Sequence, residues 1–379
     1  MALASSSVLS SFDQSAGEFL DLSNELAEII RRDNTSFISR VGINGVATET
    51  THSWMEDQLN PNTVTLNEAM DGVETDLDVS AGHGTRVKIG SLLKNVSEAG
   101  KTEVFRVTAI ATDTLTVERG YGSTSAETHT NGSTLQIIAH TAQEGQDLPA
   151  DESRTRTKVS NYTQIFQRGI QVSHTMRSVL QAGVADEFTF QVARRMMEVM
   201  RELDSSVING IKSADAGSDT SYRSMGGLVE FSSQAQGNTN TTSEALTPTV
   251  INAMVKQIWD DGGTPNFILV GGKQKRAISA FDQAYRRMTY DGNTAGYVVD
   301  KFVSDLGFML DVIVDPWVAD DVCIVGDLSK VRVMPLTGDA MRAEDLAKTG
   351  RSWKAQVTGQ YTCEIRNAKE AFAIHNNLT

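Results

Sequence analysis

Apolar and polar residues alternate along residues 82–139 in four short runs: Val87/Ile89, Phe105/Val107/Ala109, Leu115/Val117 and Leu135/Ile137, with turn residues between them. A period of two puts one face of a strand in a core and the other in solvent, so this stretch predicts a small β module. The period then changes. Over residues 186–211, Phe188, Val192, Met196, Val199, Leu203, Val207 and Ile211 recur every three or four positions. That spacing predicts one long amphipathic helix, a rod of roughly 35–40 Å at about 1.5 Å per residue. Asp186 and Glu187 stand at its start, where the helix dipole favours negative charge.

Other segments are shorter. Ser15 and Glu18 have the spacing of a capping box, and Phe19, Leu22, Leu26, Ile29 and Ile30 share one face, which predicts a helix over 17–32 behind a small, Ser-rich arm. Residues 42–51 read as extended. Trp54 stands beside Met55 as an exposed-looking aromatic. Residues 141–158 are polar and aperiodic, a connector, and alternation returns over 159–173. Thr247 followed by Pro248 predicts a helix start with Thr as N-cap and Pro in the first turn, ending at Gly262-Gly263. A buried strand over 267–270, a helix over 273–285 and β runs at 309–314, 322–325 and 331–336 make the middle region α/β. From 353 to 374 alternation predicts a terminal antiparallel sheet, through Val357, Tyr361, Cys363, Ile365, Phe372 and Ile374.

A chain of 379 residues can hold two or three packed units. Its 34 Lys and Arg against 48 Asp and Glu leave a net charge of −14. That balance disfavours sequence-specific DNA binding, which needs clustered cations, and disfavours an anionic membrane surface. No run of about 20 apolar residues predicts a membrane helix, and the N-terminal stretch lacks the pattern of a secretory signal. A bacterial-type cytoplasm is the expected compartment, and the two cysteines, Cys323 and Cys363, are expected as buried thiols.

No constellation of catalytic residues emerges. Residues 267–273 (FILVGGK) suggest a strand leading to a phosphate loop, but the spacer between glycines and the Ser or Thr after the lysine are missing, so a tight strand-to-helix turn is expected. The six histidines are scattered, and neither cysteine has a neighbour at metal-ligand spacing. Asp315, Asp320 and Asp321 around Pro316-Trp317 could offer oxygen ligands to a hard cation; without a calcium-loop glycine a solvated turn is the expectation. No cofactor or metal is called for and no enzyme is expected. Contact candidates in an assembling protein are Trp54, the basic pair Arg194 and Arg195, and the basic pair Arg286 and Arg287. The arginines suit acidic neighbours on another subunit.

Four segments carry a family resemblance: VTAIATDTLTVERGYGSTSAETHTNGSTLQIIA, AQEGQDLPADESRTRTKVSNYTQIFQRGIQVSHTMRSVLQAG, MMEVMRELDSSVINGIKS followed by YRSMGGLVEF, and EDLAKTGRSWKAQVTGQYTCEIRNAKEAFAIHNNL. In this order the chain resembles the major capsid (major head) proteins of tailed bacteriophages, in the subgroup with a β insertion in the extended loop. The resemblance implies an α+β fold of the Hong Kong 97 type. It maps an N-terminal arm on 1–50, the extended loop on 51–160 with the insertion at 82–139, a peripheral domain on 161–219 and 337–379, and an axial domain on 220–336. It implies self-assembly as pentamers and hexamers into an icosahedral head around double-stranded DNA. Scaffolding, portal and decoration proteins are implied as partners, with the short arm pointing to a separate scaffold or a trimmed chain. No Lys–Asn crosslink is expected from Lys88, Lys94 or Lys101. Rival readings are an encapsulin-like nanocompartment shell protein and a virion decoration protein.

Overall fold

The computed structural model describes residues 36–145, 147, 153, 155–179, 184, 186–214, 222–233, 238–281 and 300–379. The helix expected over 17–32 lies outside the described residues. The chain forms two compact units, one from Met1–Trp54 with Lys158–Thr379, the other from Met55–Thr157.

The described chain opens with helix α1 (Ser36–Val41) and strand β1 (Thr51–Glu56). The second unit follows: β2 (Thr63–Thr65), β3 (Asp76–Asp78), β4 (Ser91–Asn95), β5 (Val104–Ala111), β6 (Thr114–Glu118) and β7 (Thr134–His140). They form one antiparallel six-stranded sheet in the order β2-β7-β4-β5-β6-β3. The module is thus larger than the expected 82–139. Its two edge strands lie upstream of Gly82, and each is only three residues long, too short to show a period.

Two further expectations fail inside the module. Val87 and Ile89 are not in a strand. Gly84–Arg86 is a 3₁₀ turn, packed so closely that a Cβ at Gly84 would overlap the Thr112 carbonyl, and Gly90 at φ +91° turns the chain into β4. Ala109 does not face inward with Phe105 and Val107, because the β5–β6 register shifts between Val107 and Ala109. A bulge of this kind inserts a residue and reverses the phase of the alternation. Ala109 is therefore exposed and Ile110 packs on the core instead.

The module core is largely apolar, with Ser91, Asn95 and Ser133 buried at its margin and one buried ion cluster. Glu103 is fully buried. Arg119 grips its carboxylate at both oxygens, Nε to Oε1 at 2.7 Å and Nη2 to Oε2 at 2.9 Å, and His129 Nε2 lies 3.0 Å from Oε2. Burial alone would push this carboxyl up. Arg119, the Glu127 amide, His129 and the Gly120 amide outweigh it and hold the carboxyl down at about 2. Arg119 also donates to the carbonyls of Asp71, Glu74 and Glu127, so one side chain ties three loops together. Arg119→Ala leaves Glu103 buried without its main counter-charge, a loss of about 3 kcal/mol. Amide exchange protection in β5–β7 is expected to fall by about a hundredfold; unchanged protection would show the cluster to be dispensable.

The first unit resumes with β8 (Thr157–Tyr162), β9 (Gln164–Ser173), α2 (His174–Ser178), α3 (Glu187–Asn209), β10 (Ser213–Ala214), β11 (Arg223–Ser224) and α4 (Leu228–Ser232). It continues through β12 (Asn238–Asn240), α5 (Pro248–Asp260), β13 (Phe267–Val270), α6 (Gly272–Ser279), β14 (Lys301–Val303), β15 (Met309–Val314) and β16 (Cys323–Gly326). It ends with β17 (Val331–Pro335), β18 (Arg342–Leu346), β19 (Ser352–Ile365), α7 (Ala368–Ala371) and β20 (Phe372–His375). The long helix forms over Glu187–Asn209, within the expected 186–211: Ile211 lies beyond its end and is exposed, and Asp186 is its N-cap, with Oδ1 accepting from Phe188 N at 3.2 Å. The α5 cap also holds, with Thr247 Oγ1 accepting from Val250 N at 3.3 Å.

Two sheets organise this unit. Strand β19, 14 residues long, is central to the first, pairing with β9, β18 and β17. The second is mixed, in the order β12-β20-β16-β13-β15-β14. Within β13, Phe267 and Leu269 face the core shared with α3, while Ile268 and Val270 face the core under α5. The chain crosses between these sheets twice against expectation. β17 leaves the α/β region for the β19 sheet, and β20 leaves the closing sheet to lie between β12 and β16. Asn367, in the left-handed region at φ 49°, and α7 redirect the chain between β19 and β20. Alternation reports a buried face, not which sheet owns it.

Candidate assembly elements

Residues 36–50, expected as part of an arm, are built into the first unit. Phe37 and Ile38 of α1 are buried, and residues 43–47 run beside β17 with parallel bridges Ile43–Val333 and Ala47–Leu336. Two carboxylates anchor this segment. Asp204 of α3 accepts from Ile38 N at 2.8 Å, and Asp315, just after β15, accepts from Phe37 N at 3.3 Å and Trp317 N at 2.9 Å. Both are fully buried. Burial and the neighbouring Asp315 push the Asp204 carboxyl up to about 8. Asp204 thus sits in the native protein as a protonated acid across most of the neutral range. Asp315 is not the solvated turn residue expected; Asp320 and Asp321 are the exposed members of that cluster. Neither anchor was singled out from sequence. The signal available was a lone carboxylate on the apolar face of α3, four residues from Met200 and from Ile208.

The expected contact residues separate. Trp54 is buried, only 7% exposed, and its ring lies 6.0 Å from that of Phe231 and 6.0 Å from His52. It is a core residue of the first unit, and Met55 beside it is the exposed one. Arg194 lies over the Phe190 ring at 5.1 Å. Arg195 Nη1 binds Glu198 at 2.5 Å and 2.6 Å, a local pair along α3. Both of these arginines are partly exposed, beside the exposed Met197. Arg286 lies outside the described residues, and so does Arg287. Of the helix expected over 273–285, the described part is α6, Gly272–Ser279.

The chemistry of the described residues is that of a framework. No group of three or more His, Cys, Asp or Glu among them could hold a metal ion, and no described helix is long and apolar enough to cross a membrane. Cys323 and Cys363 are free, buried in β16 and β19, and burial pushes both thiols up to about 12, far from reactive thiolates. The segment 267–273 is a tight turn from β13 into α6; a Cβ at Gly271 would come within 2.9 Å of the Val318 carbonyl.

Comparison with known proteins gives this framework its family. The model of the SU10 major capsid protein family matches residues 6–379. The chain belongs to the SU10 major capsid protein family. Among solved structures, the fold is similar to a chain of the capsid of the native GTA particle, with TM-score 0.53 and 9% identity over 98% of this chain and 100% of that one. It is also similar to a Microbacterium phage Oxtober96 chain, with TM-score 0.50 and 14% identity over 98% and 100%. The match to the holo-SrpI encapsulin of Synechococcus elongatus PCC 7942 is weaker, with TM-score 0.42 and 12% identity over 59% and 76%. No curated protein matches the chain. The fold is therefore of the Hong Kong 97 type, and this SU10-family member is a structural, shell-forming protein of tailed phages whose place is the virion capsid.

Proposed function

We propose that this SU10-family protein assembles as pentamers and hexamers into an icosahedral head around double-stranded DNA. Assembly takes place in the bacterial cytoplasm with scaffolding, portal and decoration proteins, and the protein performs no catalysis. The observation that carries this reading is the family match along residues 6–379. The module Met55–Thr157 is the extended loop with its insertion, standing at the outer surface between neighbouring subunits. Helix α3 and the β19 sheet form the peripheral region, and the β13 sheet with α5 and α6 the axial region. The net charge of −14 suits a wall that must not bind the genome tightly. Electron microscopy of particles purified from infected or expressing cells is expected to show closed shells with fivefold and sixfold capsomers, filled with DNA where a packaging apparatus is present. Isolated monomers, or shells filled with protein cargo and lacking DNA from such cells, would overturn it.

A further inference from the structure

A cleft of about 640 Å³ opens in the first unit beside α1. Its apolar wall comes from Val41, Leu328 and Val331, and its two cations are Arg40 and Arg332. Both arginines are exposed, and among the described residues neither makes a hydrogen bond or ion pair through its side chain. No Asp or Glu lines the cleft. Glu364, opposite Arg332 in the sheet, is already engaged by Arg366 and His52. A chain with 14 more acidic than basic groups has left two guanidiniums unpaired around a floor that is apolar at Val41, Leu328 and Val331 and polar at Asn44, Asn266 and Ser329, in a cleft within the ~300–1,000 Å³ range of specific binding sites.

The complementary surface is in the same sequence. Residues 68–78 contain Glu68, Asp71, Glu74, Asp76 and Asp78 and no Lys or Arg. Asp71 Oδ1 accepts from Val73 N at 2.9 Å and Glu74 N at 2.8 Å, fixing a turn. At its tip Val73 is 83% exposed. Glu68 and Glu74 are exposed, and their side chains have no ion pair among the described residues. An exposed valine flanked by free carboxylates matches an apolar floor flanked by free arginines.

We propose that the Arg40/Arg332 cleft of one subunit receives the acidic turn 68–78 of a second copy of this chain, with Val73 on the Val41, Leu328 and Val331 floor and Glu68 and Glu74 facing the two guanidiniums. The proposal rests on the shell-forming reading and gives it one specific inter-subunit contact. Electrostatic matching of this kind fixes register and rejects wrong neighbours.

The test is a charge swap in full-length protein. Arg40→Glu with Arg332→Glu, and separately Glu68→Arg with Glu74→Arg, are each expected to cut the yield of closed shells by about tenfold. The melting temperature of each soluble subunit is measured alongside, because Arg332→Glu sets a carboxylate opposite Glu364; Arg40→Glu alone, which changes no residue of the sheet, should leave the melting temperature unchanged and still lower the shell yield. Combining both pairs is expected to restore the yield to within about twofold of wild type. Shells at wild-type yield from either pair alone, or no recovery in the combination, would sink the proposal. So would an effect of the arginine pair on DNA content alone, which would assign the cleft to nucleic-acid phosphates. Failure of the wild-type chain to form shells at all would instead refute the shell reading, which separates the two.

Discussion

Excising residues 82–139 will leave an insoluble protein, whereas excising residues 57–156 and joining the ends through an Asn-Gly turn will leave a folded one. As an insertion mapped to 82–139, the segment would be expected to come out and leave the core foldable. The sheet shows why it does not. The sheet partners of β2 and β3 are β7 and β6, so the shorter cut strands both edge strands. It also strips Val64, Leu66, Met70, Leu77 and Val79 of the core they line. At about 2 kcal/mol per buried apolar side chain, roughly 10 kcal/mol of burial is lost, comparable to the whole stability of a domain. The unpaired edges then invite association. The longer cut follows the physical boundary. β1 and β8 pair directly, Thr163 N donates to the Thr50 carbonyl at 2.9 Å, and Trp54 keeps its place against Phe231. Soluble yield, circular dichroism and the thermal transition of the two deletions decide the matter. Equal folding of both would falsify the six-stranded sheet as the cooperative unit.

The sequence made the long helices and central strands legible because each carried redundant signals. Helix α3 showed a sustained period and acidic residues at its start, and α5 a Thr247 cap, Pro248 and closing glycines. What escaped notice depended on partners distant in the chain. Three-residue strands such as β2 and β3 have no period of their own. The bulge after Val107 exists only against β6. The allocation of β17 and β20 between two sheets depends on neighbours and not on local pattern. Trp54 read as exposed because the aromatic ring that covers it comes from Phe231, in another part of the chain. The same holds for the buried acids. Asp315 looks like any turn carboxylate until α1 is seen to bring the Phe37 amide onto it.

Raising the pH from 5 to 9 is expected to destabilise the protein, and Asp204→Asn is expected to abolish most of that loss. Asp204 has a carboxyl raised from 3.8 to about 8, so the native state keeps a proton that the unfolded chain releases. Its contribution is complete below pH 4 and is lost as pH climbs toward 8, at up to about 1.4 kcal/mol per pH unit and on the order of 5 kcal/mol in all. Two buried carboxylates cannot both be charged without strong repulsion, and the groups they hold are the Phe37 and Ile38 amides of α1. An asparagine at 204 can accept from Ile38 N with its oxygen and donate to Asp315 with its amide, reproducing the protonated acid with nothing to titrate. Denaturant midpoints of the subunit should therefore fall with pH in the wild type and stay nearly level in Asp204→Asn. The difference between the two isolates this group from every other contribution to the profile. Exchange at the Phe37 and Ile38 amides should quicken at alkaline pH in the wild type alone. Parallel pH profiles for the two proteins would mean that Asp204 is ionised in the native state and that α1 is held by something other than a shared proton.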